Sequence, residues 1–97
     1  MKPYLKNVNT LILDKELPFA IQCYGCEGYY VIDLRYDKKI RFLDYENAIF
    51  CVLTMAYDYL ANSFYEMSLA DVFVDFELLS SKMEILCGYK DFEDDEK

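Results

Sequence analysis

The segment FAIQCYGCEGYYVIDLR, residues 19–35, decides the fold. Residues 19–24 alternate between apolar and less apolar side chains, which is typical of a strand with one buried face. Residues 29–35 are rich in β-branched and aromatic side chains and form the clearest predicted strand. Gly25 and Gly28 lie between the two strands and supply the positive φ angles that short connections need. The segment therefore predicts an antiparallel hairpin.

The same segment contains two cysteines, Cys23 and Cys26, at a spacing that also occurs in metal knuckles and redox pairs. A zinc site would need a second close pair, whereas Cys51 and Cys87 are isolated from each other along the chain. A thioredoxin-type pair begins a helix, but a strand follows Cys26. We therefore favour a turn and expect neither a metal nor a cofactor, and the absence of a secretory signal predicts free thiols.

Strands and helices extend outward from the hairpin. Further strands are predicted at residues 8–13, 39–43 and 83–87. We expect an α+β fold, in which two helices pack on one face of a small antiparallel sheet built from a three-strand meander plus one or two short strands. Residues 1–89 are predicted to form a single domain, and residues 90–97 an acidic C-terminal tail.

Two helices are predicted from their caps and their apolar periodicity. Asp44 is a candidate N-cap for a helix that runs to about Ala61. This helix has an unusually wide apolar arc, so it is either the central helix of the domain or also contacts a partner chain. Ser68 and Asp71 form a variant of the capping box at the start of the second helix. Its predicted inward stripe consists of Leu69, Val72, Phe73, Phe76 and Leu79.

Charge is distributed unevenly along the chain. Residues 1–43 carry a net charge of +2 and residues 44–97 a net charge of −10, within a total of −8. Such an acidic protein repels nucleic acid and anionic membranes, so we expect no direct binding to either. It would attract a basic protein surface, although acidity also serves solubility alone. No apolar run is long enough for a signal peptide or membrane helix, and we predict a cytoplasmic location.

The sequence lacks the residues that several kinds of enzyme require. It contains no histidine, which excludes Ser-His-Asp and Cys-His nucleophilic arrangements within the chain. It also contains no phosphate loop, dinucleotide fingerprint or calcium loop. Asp71 and Asp75 are four residues apart on a helix, where we interpret them as a solvated face rather than a catalytic pair. The prediction is that the protein is not an enzyme.

Tyrosine is abundant, with ten residues in a domain too small to bury them all. Tyrosine beside carboxylates is common at recognition surfaces. The candidate partner-binding residues are Tyr57, Asp58, Tyr65, Glu66, Asp71, Asp75 and Glu77. They predict a surface that binds a basic protein, such as a nucleic-acid-binding effector or nuclease.

In size, acidity, tyrosine content and lack of catalytic groups, the chain resembles the small acidic inhibitors encoded by phages and mobile elements. Anti-CRISPR and anti-restriction proteins are examples. The resemblance implies a non-enzymatic inhibitor whose carboxylates stand in for the phosphates of DNA. Two alternatives remain open. One is an immunity protein that neutralises a cognate toxin, and the other is a structural subunit that self-associates, for instance as a homodimer, through residues 45–61.

Overall fold

The structure is a computed structural model that describes residues 2–62 and 68–86. It contains a five-stranded sheet and two helices. The strands are β1 (Tyr4–Asn7), β2 (Thr10–Ile12), β3 (Phe19–Cys23), β4 (Tyr29–Asp33) and β5 (Lys38–Phe42). The helices are α1 (Tyr45–Ala61) and α2 (Leu69–Leu86). The predicted α+β class is confirmed, and the predicted boundary at residue 89 lies outside the described residues.

Each strand pairs antiparallel with the next along the chain, so the sheet order is β1-β2-β3-β4-β5. Helix α1 contacts β3, β4 and β5, while α2 contacts α1 and β2. The main core lies between this helical layer and the sheet, and its largest fully buried side chains include Leu11, Phe19, Ile21, Ile49, Leu79 and Met83. The wide apolar arc of α1 is therefore explained by its central position between the sheet and α2.

The hairpin between β3 and β4 has the predicted glycine-dependent turn. A short 3₁₀ helix spans Gly25–Glu27, and Cys23 pairs with Tyr29 where the strands end. Gly25 and Gly28 have φ angles of 63° and 106°, which L side chains rarely adopt. A Cβ atom at Gly28 would also lie 2.5 Å from the Phe42 carbonyl oxygen. This position therefore requires glycine twice over, for its backbone angle and for the close approach of β5.

The cysteines take ordinary structural positions. Cys23, Cys26 and Cys51 are free thiols, with Cys26 exposed in the turn and the other two half-buried. Burial raises the pKa of the Cys51 thiol, which disfavours its reactive thiolate. Within residues 2–62 and 68–86, no group of three or more potential ligands is arranged to hold a metal ion. The fourth cysteine, Cys87, lies outside those ranges.

Two elements differ from the sequence-based expectation. The predicted strand at residues 83–87 is wrong, because Met83–Leu86 form the last turn of α2. The alternation of this short segment misled the prediction, since Ile85 is exposed and the buried residues Leu79, Met83 and Leu86 follow helical spacing. Strand β1 was not predicted. Its four residues are all exposed, so no apolar alternation marks it, and it exists only through pairing with β2.

The start of α1 has the predicted cap. The Asp44 carboxylate accepts a hydrogen bond of 3.0 Å from the backbone N–H of Glu46, and Asp44 itself is extended. This bond satisfies one of the backbone donors that a helix N-terminus leaves unpaired. Neither described helix is long and apolar enough to cross a membrane.

We expect Asp44→Ala to lower the free energy of unfolding by about 1 kcal/mol, because the cap is lost. Asn47→Ala is the matched control, since Asn47 is an exposed position inside the same first turn. It should leave stability unchanged or slightly increased, because alanine favours helix more than asparagine does. Urea denaturation of both variants checks this. Equal destabilisation of the two would show that the Asp44 carboxylate does not cap the helix.

A charged pair, Asp33 and Arg35, lies at the end of β4 beside the core. Asp33 is only 6% exposed, and its two oxygens accept hydrogen bonds of 3.1 Å and 3.0 Å from Nε and Nη2 of Arg35. The Arg35 guanidinium also lies within about 5 Å of three aromatic ring centres, those of Phe19, Tyr36 and Tyr59. These contacts hold the chain where β4 turns towards β5, next to the end of α1.

This pair makes stability depend on pH. Hydrogen bonding from Arg35 lowers the pKa of the Asp33 carboxyl, although burial opposes the shift. A carboxyl with a lowered pKa stabilises the folded state above its unfolded pKa of about 4, and that contribution is lost as pH falls through the folded value. Wild type should therefore exceed Asp33→Asn in stability most at neutral pH, with a gap that shrinks in acid. Urea midpoints measured from neutral to strongly acidic pH check this; a constant gap would contradict it.

Candidate protein-binding surface

The charge asymmetry along the sequence becomes a difference between the two layers of the fold. Residues 2–43, which build the sheet, carry seven Lys or Arg and five Asp or Glu, a net charge of +2. The described helical residues, 44–62 and 68–86, carry one Lys and seven Asp or Glu, a net charge of −6. The domain therefore presents an acidic helical layer and a weakly basic sheet. A charged partner would be oriented by this difference.

The structure brings two of the predicted site residues together across the helix pair. The Tyr57 hydroxyl of α1 donates a hydrogen bond of 3.1 Å to the Asp75 carboxylate of α2. Both side chains are half-buried. The contact fixes α2 against α1, so Asp75 holds the fold together and does not project freely towards a partner. Sequence reasoning placed both residues at the surface but had no means of finding the bond, which depends on how the helices cross.

Asp71 is also engaged within the domain. Its carboxylate accepts hydrogen bonds of 3.3 Å from the backbone N–H of Ser68 and 3.0 Å from the Ser68 hydroxyl. In return, the Ser68 hydroxyl accepts a bond of 3.2 Å from the backbone N–H of Asp71. The predicted capping box is confirmed. Since Asp71 lies in the first turn of α2 and takes part in its cap, replacing it would alter α2 as well as the surface charge.

The remaining predicted site residues are exposed or lie outside the described part of the chain. Asp58 on α1 and Glu77 on α2 are exposed side chains. Tyr65 and Glu66 fall between residues 62 and 68, where the structure describes nothing. Of the seven predicted residues, Asp58 and Glu77 are therefore the described carboxylates best placed to meet a partner without disturbing the fold.

The sequence predicts that two large apolar residues of α2 lie in the core, but the structure places them at the surface. Leu69 and Phe73 were predicted to face inward, but both are exposed, with Phe73 at 62%. The buried face of α2 instead uses Leu79, Met83 and Leu86, with Phe76 half-buried. The correction has a physical reason. Only the C-terminal half of α2 packs on the core, so the first two turns extend past it.

Aromatic rings continue this exposed stripe onto the neighbouring helix. Phe50 of α1 is exposed and packs on Phe76 of α2, with ring centroids 4.8 Å apart. Phe76 follows Phe73 by three residues, so these rings lie along one side of the helix pair. Glu77 follows Phe73 by four residues and shares its side of α2. Asp58 is a further exposed carboxylate of the helical layer, on α1. We call these exposed side chains of the two helices, Phe50, Asp58, Leu69, Phe73 and Glu77, the acidic–aromatic surface.

The composition of α2 contained a signal for this surface. Between Leu69 and Leu79 the helix has eight apolar positions, including Val74 and Leu78, which do not fit the predicted stripe. One face of a helix packed on a two-layer domain cannot bury that many. The surplus indicated that some large apolar side chains would stay exposed, although not which ones.

Exposed aromatic groups and exposed carboxylates on the same layer suit protein recognition. Rings supply contact area at low conformational cost, and carboxylates attract basic side chains. No protein-family model matches the chain, and no curated protein or solved structure is significantly similar to it.

Proposed function

We propose that the protein is a non-enzymatic inhibitor that binds a basic protein through its helical layer. The observation that carries the proposal is the exposure of Phe50, Leu69 and Phe73 on a layer with a net charge of −6. Exposed apolar side chains that cluster, as Leu69 and Phe73 do one helical turn apart, are typical of interaction sites. The surrounding negative charge selects the class of partner.

The partner that fits best is a nucleic-acid-binding protein, such as an effector or nuclease. Its phosphate-binding surface is basic, and the carboxylates of Asp58 and Glu77 would occupy the positions of phosphates. Complementary charge accelerates encounter, and buried aromatic anchors at the centre of an interface supply most of the affinity. Phe73 and Phe50 are the proposed anchors. Occupation of the nucleic-acid site would inhibit the partner without any chemical step.

The proposal assigns the acidic–aromatic surface a different role from the carboxylates that hold the fold. Asp71 and Asp75 contribute to the negative field but are tied to Ser68 and Tyr57. If their charges were reversed, weaker binding could result either from the lost negative charge or from damage to the fold. The informative variant is therefore Asp58→Lys with Glu77→Lys, which leaves both internal contacts in place.

Comparative affinity capture tests the proposal. Three baits are used with the same extract: wild type, the Asp58→Lys/Glu77→Lys variant, and a control, Glu16→Lys/Glu27→Lys. The control makes the same change in net charge at exposed positions of the sheet layer. We expect a nucleic-acid-binding protein that wild type and the control retain and the helical variant loses. Its inhibition should then be measured with purified components.

Other outcomes separate the alternatives. Capture of a toxin encoded beside this protein would identify it as an immunity protein, which uses the same acidic chemistry. A ligand retained equally by all three baits would contradict binding through the helical layer. Light scattering that shows a stable oligomer without a partner would support self-association instead.

A further inference from the structure

A second candidate surface lies on the opposite layer, at the edge of the sheet. Strand β5, Lys38–Phe42, has the sequence KKIRF, so three of its five residues are cationic in a protein of net charge −8. Its first four residues are exposed. Among the described residues, β5 pairs with β4 and with no strand on its other side. It is therefore an edge strand with an unusual local charge.

An edge strand offers hydrogen bonds as well as side chains. In an antiparallel pair, every second residue of the outer strand directs its N–H and C=O groups away from its neighbour. Such groups form a template onto which another extended chain can add. The affinity of an added strand comes from these main-chain bonds, while alternating side chains determine which sequence is accepted.

The register determines which side chains an added strand would meet. Lys39 pairs with Ile32 and Arg41 with Tyr30, so both cations lie on the sheet face opposite the helices. Ile40 pairs with Val31 and lies on the helical face, where it is partly exposed. Leu43 follows the strand and is 76% exposed. An added strand would therefore meet Lys39 and Arg41 on one face, and Ile40 together with Lys38 on the other.

Arg41 on the cationic face is held in place by the β3–β4 turn. The Arg41 Nε donates a hydrogen bond of 2.6 Å to the Glu27 carbonyl oxygen in the β3–β4 turn. Its cross-strand neighbour Tyr30 packs edge-to-face on Tyr24, with ring centroids 5.2 Å apart. The Tyr24 hydroxyl donates in turn to Gln22, at 2.8 Å. Binding groups fixed in this way lose little conformational entropy when a ligand arrives.

We propose that β5 binds an extended acidic segment of a partner protein by strand addition. In the preferred segment, Asp or Glu alternates with apolar residues, so that carboxylates meet Lys39 and Arg41 while apolar side chains cover Ile40. The proposal rests on the sheet layer and stands independently of the acidic–aromatic surface.

Charge favours an acidic segment over two other possible ligands of β5, a second copy of this chain and nucleic acid. Antiparallel pairing of two copies centred on Ile40 would place Lys39 opposite Arg41, and like charges directly opposite each other are destabilising. Nucleic acid would meet the same cations, but the whole protein's charge of −8 repels a polyanion. A short acidic segment gains the local attraction with far less of this repulsion.

The test uses the full chain and a synthetic peptide in which glutamate alternates with valine. A peptide with lysine in place of glutamate is the control ligand. Backbone amide NMR signals should shift in β5 and β4 on addition of the acidic peptide and not of the basic one. Lys39→Glu/Arg41→Glu should weaken binding about tenfold or more, whereas Lys6→Glu/Lys15→Glu, an equal charge change away from β5, should have a much smaller effect.

Arg41 also contacts the β3–β4 turn, so Lys39→Glu alone provides a second variant that leaves this contact intact. It should weaken binding in the same direction with an unchanged NMR spectrum elsewhere. The proposal would be overturned by the absence of shifts in β5, by equal weakening in the Lys6/Lys15 control, or by equal binding of the basic peptide. Self-association of Lys39→Ala/Arg41→Ala with unchanged peptide affinity would also overturn it, because the cations would then only protect the edge from aggregation.

Discussion

Leu79→Ala should lower the free energy of unfolding by about 3 kcal/mol, whereas Phe73→Ala should change it by less than about 0.5 kcal/mol. Leu79 is fully buried among core residues, so its truncation removes packing and leaves a cavity. Phe73 is 62% exposed on the same helix, and alanine is the better helix former.

Comparing the two substitutions is informative because helical periodicity alone places Leu79 and Phe73 on the same inward stripe of α2. Urea denaturation monitored by circular dichroism measures both variants under the same conditions. The difference between them tests whether the first two turns of α2 extend past the core. Similar losses for Leu79→Ala and Phe73→Ala would show that the whole helix packs inward, and the acidic–aromatic surface would then not exist.

The second large effect concerns binding. Phe73→Ala should raise the Kd for the captured partner by about thirtyfold or more, as expected for the loss of an anchor worth at least about 2 kcal/mol. Val8→Ala is the matched control, because Val8 is 91% exposed in the connection between β1 and β2 and lies on the sheet layer. It should leave the Kd unchanged.

Isothermal titration calorimetry with the purified partner measures both constants. Since Phe73→Ala is expected to leave folding intact, a weaker complex reports on the interface itself. If Phe73→Ala and Val8→Ala bind as well as wild type, the exposed ring is not an anchor and the proposed surface must be abandoned.

Much of the fold follows from local sequence signals. Gly25 and Gly28 encode the β3–β4 turn because few other residues adopt their backbone angles. Asp44 and Ser68 mark the helix starts because their side chains satisfy local backbone donors. Such signals depend on residues close together in the chain, so they can be recognised from a single sequence.

The features that sequence reasoning missed depend on contacts between distant segments. Strand β1 has no apolar face and exists through pairing with β2. The last turn of α2, Met83–Leu86, alternates like a strand in sequence, and only the burial of Met83 and Leu86 marks it as helix. The exposure of Phe73 depends on how far α2 extends past the core.

The candidate site was predictable in its charge but not in its geometry. Net charge and tyrosine content indicated an acidic recognition surface, and the acidic residues do lie on the helical layer. The internal roles of Asp71 and Asp75 separate them from Asp58 and Glu77, and this separation requires knowing the position of Tyr57 relative to α2. The sequence predicted tyrosines as its aromatic residues, whereas the described part of the structure exposes Phe50 and Phe73 and leaves Tyr57 half-buried.

The central claim is that the helical layer binds a basic partner electrostatically, and a salt titration tests it most directly. The Kd of the purified complex is measured at increasing ionic strength for wild type, Asp58→Lys/Glu77→Lys and Glu16→Lys/Glu27→Lys. We predict a steep loss of affinity with salt for wild type and the control, and weak binding with a shallow salt dependence for the helical variant. Equal affinities and equal slopes for all three proteins would contradict the claim.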